Sequence, residues 1–258
     1  MGAGQAGAGT TATGAGPVGI ITGGASGIGA ASAVAFAGLG ARLVLATLPT
    51  SPTRAVTALV ERAGGRAVTA HVDVRDPRQV ATLPEAALRH YGRIDFLLVN
   101  AGIAEQSRAS EGDPGVWRNV IETNLLGDLY CVRYVLPQMR AQQSGHIILM
   151  ASLSGREPYV GEPAYIASKW GLVGFGHSLR KEVLADHIRV TLVEPGLVDT
   201  PPTRGNPVVR PLLDAVVPLQ AEDVARAVVY AFRQPPHVTV SEIAVRPQGE
   251  GDTDVPLH

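Results

Sequence analysis

Within the stretch "GEPAYIASKWGLVGFG", a tyrosine and a lysine stand four residues apart, Tyr165 and Lys169. In a helix, side chains at i and i+4 leave the same face one turn apart. An unperturbed phenol titrates near ~10, too high to act as a base at neutral pH. An ammonium beside it stabilises the phenolate and makes the phenol a usable acid and base. The spacing alone is common in helices, so other residues have to decide. One independent feature favours a role for Lys169. The chain has 22 basic residues, of which only Lys169 and Lys181 are lysine. A compact ammonium can sit close to a phenol in a way that a planar guanidinium cannot.

A second candidate is "TGGASGIG" (22–29), where Gly23, Gly27 and Gly29 are spaced G-x-x-x-G-x-G. The order differs from G-x-G-x-x-G, but the physical demand is the same. The turn must reach unusual backbone angles, and no Cβ can stand where a pyrophosphate approaches a helix N-terminus. A Walker loop is excluded, because no Gly-Lys-Ser/Thr follows. Thr47 lies where a ribose-reading side chain belongs, about 20 residues beyond the loop. Asp73, in "HVDV", falls near the place of an adenine, or else braces the end of a strand.

These residues need elements to hold them. Short apolar runs at 17–22, 42–47, 66–72, 95–100, 146–152, 189–194 and 238–245 are rich in Val, Ile and Leu, as strands buried on both faces are. Helical stretches are expected between them, near 27–39, 53–64, 77–91, 114–142, 163–187 and 221–233. Asp113-Pro114 opens one, and Gly64-Gly65 closes another. Such alternation predicts an α/β fold, a doubly wound parallel sheet with helices on both faces. No linker divides it: residues 17–258 read as one domain, and the Gly/Ala-rich 1–16 as a flexible tail. The Pro-rich stretch within 197–218 reads as a substrate-covering loop at a strand's carboxyl end.

With 258 residues, 45% hydrophobic, the chain can bury a large core. A net charge of −1 gives no footprint for nucleic acid or an anionic membrane surface. No apolar run approaches a membrane span, and the seven scattered histidines offer no metal-ligand spacing. The single cysteine, Cys131, fits a reducing, cytoplasmic setting and an inert core position. Trp117 and Trp170 read as packing residues near subunit contacts, and His177 and His187 as structural.

The joint pattern resembles the short-chain dehydrogenase/reductase family in its single-domain branch. It is carried by "TGGASGIG" (22–29), "DV" (73–74), "NAG" (100–102), Asn124, Ser152, "YIASK" (165–169) and "PGLVDT" (195–200), in the family's order and spacing. The resemblance implies a Rossmann-type sheet of seven parallel strands in the order 3-2-1-4-5-6-7. It also implies a secondary alcohol and a ketone interconverted with NAD(P)(H). Tyr165 would be the acid/base, Lys169 its pKa modifier and ribose anchor, Ser152 the holder of the substrate oxygen, and Asn124 the support of a water relay. Cofactor contacts are expected from Gly23, Ser26, Gly27, Ile28, Gly29, Thr47, Asp73, Val74, Asn100, Ala101, Gly102, Tyr165, Lys169, Pro195, Gly196, Val198 and Thr200. Substrate contacts are expected from Ser152, Ser154, Tyr159 and Tyr165. Long helices that pair between subunits imply a homo-oligomer, a dimer or tetramer. The partner is a small molecule, with no nucleic acid, membrane or metal.

Two departures from the pattern matter. Val99 replaces the first asparagine of "NNAG", which removes polar bracing and leaves Asn100, Ala101 and Gly102 beside the cofactor. The second strand ends in "ATLPTSPTR" (46–54), with neither the acid of NAD-preferring relatives nor the arginines beside it of NADP-preferring ones. Without the acid a 2′-phosphate is not repelled, and Thr47, Thr50, Ser51 and Arg54 can bond to it. The expectation leans slightly to NADP(H) and leaves NAD(H) open. "SEIAVRP" (241–247) resembles a subgroup acting on 3-hydroxy acids, so Arg156, Arg204 or Arg210 is expected to receive a substrate carboxylate. A catalytically silent nucleotide-binding regulator is the alternative from another class. A sugar-nucleotide epimerase or dehydratase is the enzymatic one, disfavoured by the glycine spacing and the absence of a longer C-terminal substrate domain.

Overall fold

A computed structural model describes residues 16–204, 213 and 216–249. The expected flexible tail up to residue 15, and Arg210 with most of the Pro-rich stretch, lie outside the described residues. Seven strands form one parallel sheet in the order β3-β2-β1-β4-β5-β6-β7. They are β1 (Val18–Thr22), β2 (Arg42–Thr47), β3 (Arg66–His71), β4 (Phe96–Val99), β5 (Gly145–Met150), β6 (Ile188–Pro195) and β7 (Glu242–Val245). Val, Ile and Leu runs give β1 and β4 no exposed position, because both faces of the sheet are covered. Successive residues therefore serve opposite cores. Ile20, Leu97 and Ile147 pack on one face with Leu83, Val135, Met139 and Leu172. Ile21, Leu98 and Ile148 pack on the other with Val56, Val60, Val224 and Val228.

The helices on the second face are α1 (Gly27–Ala37), α2 (Arg54–Arg62) and the C-terminal Ala221–Phe232. A Cβ at Gly19 would stand 2.0 Å from the Phe96 ring. That space lets Phe96 stack on Phe36, with centroids 4.0 Å apart, and meet Phe232 edge-on. On the first face lie α3 (Pro77–Val80), α4 (Thr82–Tyr91), α5 (Pro114–Ile121), α6 (Gly127–Gln142) and α7 (Pro163–Glu182). Asp113 caps α5 by accepting from Gly115 N at 2.7 Å, and Gly64 takes φ +96 where α2 turns into β3.

The structure corrects several boundaries. The stretch 114–142 is interrupted by a π-helical turn at Glu122–Leu126, which carries Asn124. The expected helix 77–91 is divided at Ala81 between α3 and α4. α7 ends at Glu182, and a 3-10 turn follows at Leu184–Asp186. β7 begins only at Glu242, because the main chain before it is taken up by side chains of β6. Thr191 Oγ1 donates to Val240 O at 2.6 Å and Arg189 to Val238 O at 3.4 Å. No helix among the described residues is long and apolar enough to cross a membrane.

Candidate active site

At the carboxyl end of β1 the chain turns through Gly23, at φ +65, and enters α1 through Gly27, at φ +50. Both angles are readily reached only by glycine. A Cβ at Gly29 would lie 2.3 Å from Gly23 O and 2.7 Å from Asn100 Nδ2, so α1 rests directly on the loop. Ser26 stands at the N-cap in an extended conformation and makes no capping bond with its side chain. The first-turn N–H groups of α1 thus face a cradle with no acid in that turn, which suits an anion. A Cβ at Gly27 would meet Thr200 Cγ2 at 3.5 Å, which puts the β6 loop across the cleft from the cradle.

Thr22 ties this cradle to "NAG". Its hydroxyl accepts from Asn100 N at 2.8 Å and Ala101 N at 3.0 Å, while Asn100 Nδ2 donates to Thr22 O at 3.0 Å. Val99 is fully buried, and Thr22 and Asn100 brace the strand end beside it. Thr47 is buried, and its hydroxyl has no partner among the described residues. A buried orphan hydroxyl at the end of β2 fits a ligand's ribose. Thr50 and Arg54 beyond it are exposed and Ser51 half-buried. Asp73 is committed elsewhere: Arg75 Nη2 lies 2.6 Å from its Oδ2, and the guanidinium holds its carboxyl below the usual range. Val74 packs against Gly127, leaving no room there for a Cβ. Beyond β6, Gly196 N donates to Val245 O at 2.8 Å, Val198 bridges to Leu219, and Thr200 bonds to Thr203 at 2.8 Å.

Ser152 leaves β5 as the N-cap of the 3-10 turn Leu153–Gly155, and its Oγ accepts from Ser154 N at 3.1 Å. Tyr165 stands in the first turn of α7. Burial pushes its phenol up to about 12, a hydrogen bond from Ser152 pulls it down, and the charge of Glu162 pushes it up. Without a bound cofactor, burial outweighs Ser152 and the phenol keeps its proton. Lys169 Nζ lies 5.7 Å from the Tyr165 ring centroid and donates to Met150 O at 2.8 Å. Burial lowers its pKa, and the carboxyl of Asp128 opposes that. Asp128, in the first turn of α6, is 1% exposed and its Oδ1 has no hydrogen-bond partner among the described residues. Burial pushes its carboxyl well up, with Lys169 acting against it.

Asn124 is fully buried, and its amide clamps one residue. Oδ1 accepts from Ile103 N and Nδ2 donates to Ile103 O, both at 2.8 Å, with Ser168 Oγ 3.4 Å from Nδ2. The side chain thus holds the segment after "NAG" against α7 and does not point to Lys169. That segment forms the outer wall. Ser107 N donates to Gly161 O at 2.8 Å, so Glu105 comes to lie beside Glu162. Trp117 Nε1 and the Ser107 hydroxyl both donate to Glu105 Oε1.

The opposite wall is rich in ion pairs. Arg156 Nε lies 2.6 Å from Glu194 Oε2 without hydrogen-bond geometry, and its Nη2 is held by Glu242. Arg204 is paired with Asp199, and Glu157 with Arg246. The Tyr159 hydroxyl donates to Glu157 at 3.1 Å, on a side chain 39% exposed at the rim.

A family model described as short chain dehydrogenase matches residues 17–207. The chain belongs to the short-chain dehydrogenase family. An uncharacterized oxidoreductase of Staphylococcus saprophyticus is 37% identical over 231 residues, 89% of this chain and 97% of that protein. The crystal structure of a metagenomic short-chain oxidoreductase in complex with NADP is 33% identical, covers 91% of this chain and 98% of its own, and superposes with a TM-score of 0.78. Levodione reductase is 28% identical over 89% of this chain and 95% of its own, with a TM-score of 0.81.

In this dehydrogenase the glycine loop, Thr47, "NAG", Ser152, Tyr165, Lys169 and Thr200 all gather at the carboxyl ends of the strands. Three acids of this wall went unseen in the sequence: the buried Glu105 and Asp128 and the half-buried Glu162. Each sits in a stretch whose polarity looks like surface. The one available signal was an acid three residues before Tyr165. Trp117 also does more than pack, since it orients Glu105.

Proposed function

We propose that this dehydrogenase interconverts a secondary alcohol and a ketone, with Tyr165 as the acid/base. The observation that carries this is the placing of Ser152 and Tyr165 together at the carboxyl ends of the strands, with Lys169 one turn along the same helix face and its Nζ 5.7 Å from the phenol ring centroid. The cradle, the orphan hydroxyl of Thr47 and the family all support NAD(P)(H) as cofactor, held by the loop 22–29, Thr47, "NAG" and the segment 195–200. When bound, its nicotinamide gives or takes the hydride. A phenol near pKa 12 stays protonated at neutral pH and can give its proton to the more basic alkoxide that hydride transfer leaves on a substrate oxygen held by Ser152, which suits reduction. For oxidation it must be made more acidic, and Lys169 is the nearest cation able to do so. Asn124 supports the relay by shaping the wall at Ile103, and Ser154 and Tyr159 lie on the substrate side.

The absence of an acid after β2 favours NADP(H), as does NADP in a 33% identical relative. Kinetics with both cofactors on a panel of ketones and alcohols tests the proposal. Turnover is expected, more efficient with NADPH. At least about tenfold better efficiency with NADH would reverse the cofactor preference. Cofactor binding without turnover on any of them would favour the regulator. Self-association is proposed through α7 and the helices either side of the π turn, where Trp170 of α7 and Leu126 of that turn are exposed, and light scattering would measure it.

A further inference from the structure

Acids around this site fall into two groups. On one wall Glu157, Glu194, Glu242 and Asp199 each lie against an arginine. On the other, Glu105 and Glu162 form no salt bridge among the described residues. Glu105 is 7% exposed. Its Oε1 takes the Trp117 and Ser107 donors, but its Oε2 is buried with no partner among the described residues. Glu162 stands at the N-cap of α7, yet its side chain makes no capping bond to the helix. It is therefore not spent on α7. Burial and the charge of Glu105 push its carboxyl up to about 7, and no cation among the described residues acts the other way. Glu162 caps the helix whose first turn holds Tyr165 and its charge acts on that phenol, so it borders the reacting oxygen.

A buried and a half-buried carboxyl without a counter-ion among the described residues are costly. The expected anionic substrate fits poorly, since Arg156 and Arg204 are already held by acids of the chain itself. We propose that Glu105 and Glu162 receive a cationic group of the substrate, so that the enzyme acts on ketones or alcohols bearing an ammonium a short spacer from the reacting carbon. The unpartnered Glu105 oxygen and the free Glu162 side chain form the cation's seat. Trp117 and Ser107 fix its far side. The inference rests on the alcohol/ketone chemistry proposed above and names its substrate class.

The test compares (2-oxopropyl)trimethylammonium with its uncharged isostere 4,4-dimethylpentan-2-one, under NADPH. The wild type is expected to prefer the cation by about tenfold or more in kcat/KM. That ratio should fall to within about threefold in Glu162→Gln and in Glu105→Gln, whatever their absolute rates. A wild-type ratio near one, or a ratio unchanged in both variants, overturns the proposal. Calorimetry on Tyr165→Phe with NADP+ adds an arm that needs no turnover. The cation should bind more tightly than its isostere, and equal affinity overturns the proposal. Tighter binding of the cation without turnover in the wild type would keep the cation seat and sink the reaction. Turnover of both ketones without preference would do the reverse.

Discussion

The two walls of the active site handle buried carboxylates in opposite ways. Along β6, β7 and the segment after β5, Glu194 is wholly buried but rests on Arg156, which also holds Glu242. Across the cleft, Glu105 and Asp128 are buried and Glu162 half-buried, and among the described residues the one cation acting on them is Lys169, on Asp128. A neutralised network fixes geometry and has little left to offer a ligand. Unneutralised carboxyls cost stability in the free protein and regain it when a cation or a proton arrives. The paired wall thus reads as scaffold and the unpaired wall as chemistry.

Removing Arg156 should do the most damage, because it strands Glu194. Arg156→Leu is expected to lose about 2–4 kcal/mol by denaturant unfolding. That is less than for a fully buried pair, since the guanidinium is 39% exposed. Arg156→Leu with Glu194→Gln should recover most of the loss. No recovery would mean that packing of the arginine stem, not charge, holds this wall.

Glu162→Gln should have the opposite sign. Its carboxyl moves from an ordinary 4.5 to about 7, so the native protein keeps a proton that the unfolded chain releases. The stability from that proton is full below about 4.5 and is lost as pH rises through 7. Relative to wild type, the glutamine variant should therefore gain up to about 3 kcal/mol at pH 8, and the gain should vanish near pH 4.5. Melting curves across that range decide it, and a gain independent of pH would contradict the buried-acid account.

Asp128→Asn is a smaller perturbation. Asp128 opposes the burial that lowers the Lys169 pKa, so its removal lowers that pKa further. The alkaline limb of kcat/KM should move to lower pH, and an unmoved limb would disconnect Asp128 from the site. Smallest of all is Arg246→Leu, on an exposed pair with Glu157, worth about 0.5 kcal/mol or less.

The scaffold was far more legible in the sequence than the unpaired wall. Runs such as "RLVLAT" and "DFLLVN" announce doubly buried strands because local composition is enough to say so. Gly23 and Gly27 announce themselves because their positive φ favours glycine, and Gly29 because a Cβ has no clearance there. Asn124 was legible as an anomaly in mid-helix, but the π turn and the clamp on Ile103 depend on a segment 21 residues away. Glu105 and Glu162 are brought together by one backbone bond, Ser107 to Gly161, across 54 residues. No local pattern encodes such a contact, so both acids pass for surface. The start of β7 was misjudged for the same reason, since side chains of β6 claim the carbonyls before it.

The proposed role of Tyr165 is tested most directly by its phenylalanine variant. Tyr165→Phe removes the phenol oxygen and keeps the ring packed in α7. NADPH affinity, read by fluorescence titration, should stay within about threefold, while kcat on a ketone accepted by the wild type should fall by about a thousandfold. A variant that binds NADPH and retains kcat within about tenfold of wild type would contradict Tyr165 as the proton donor.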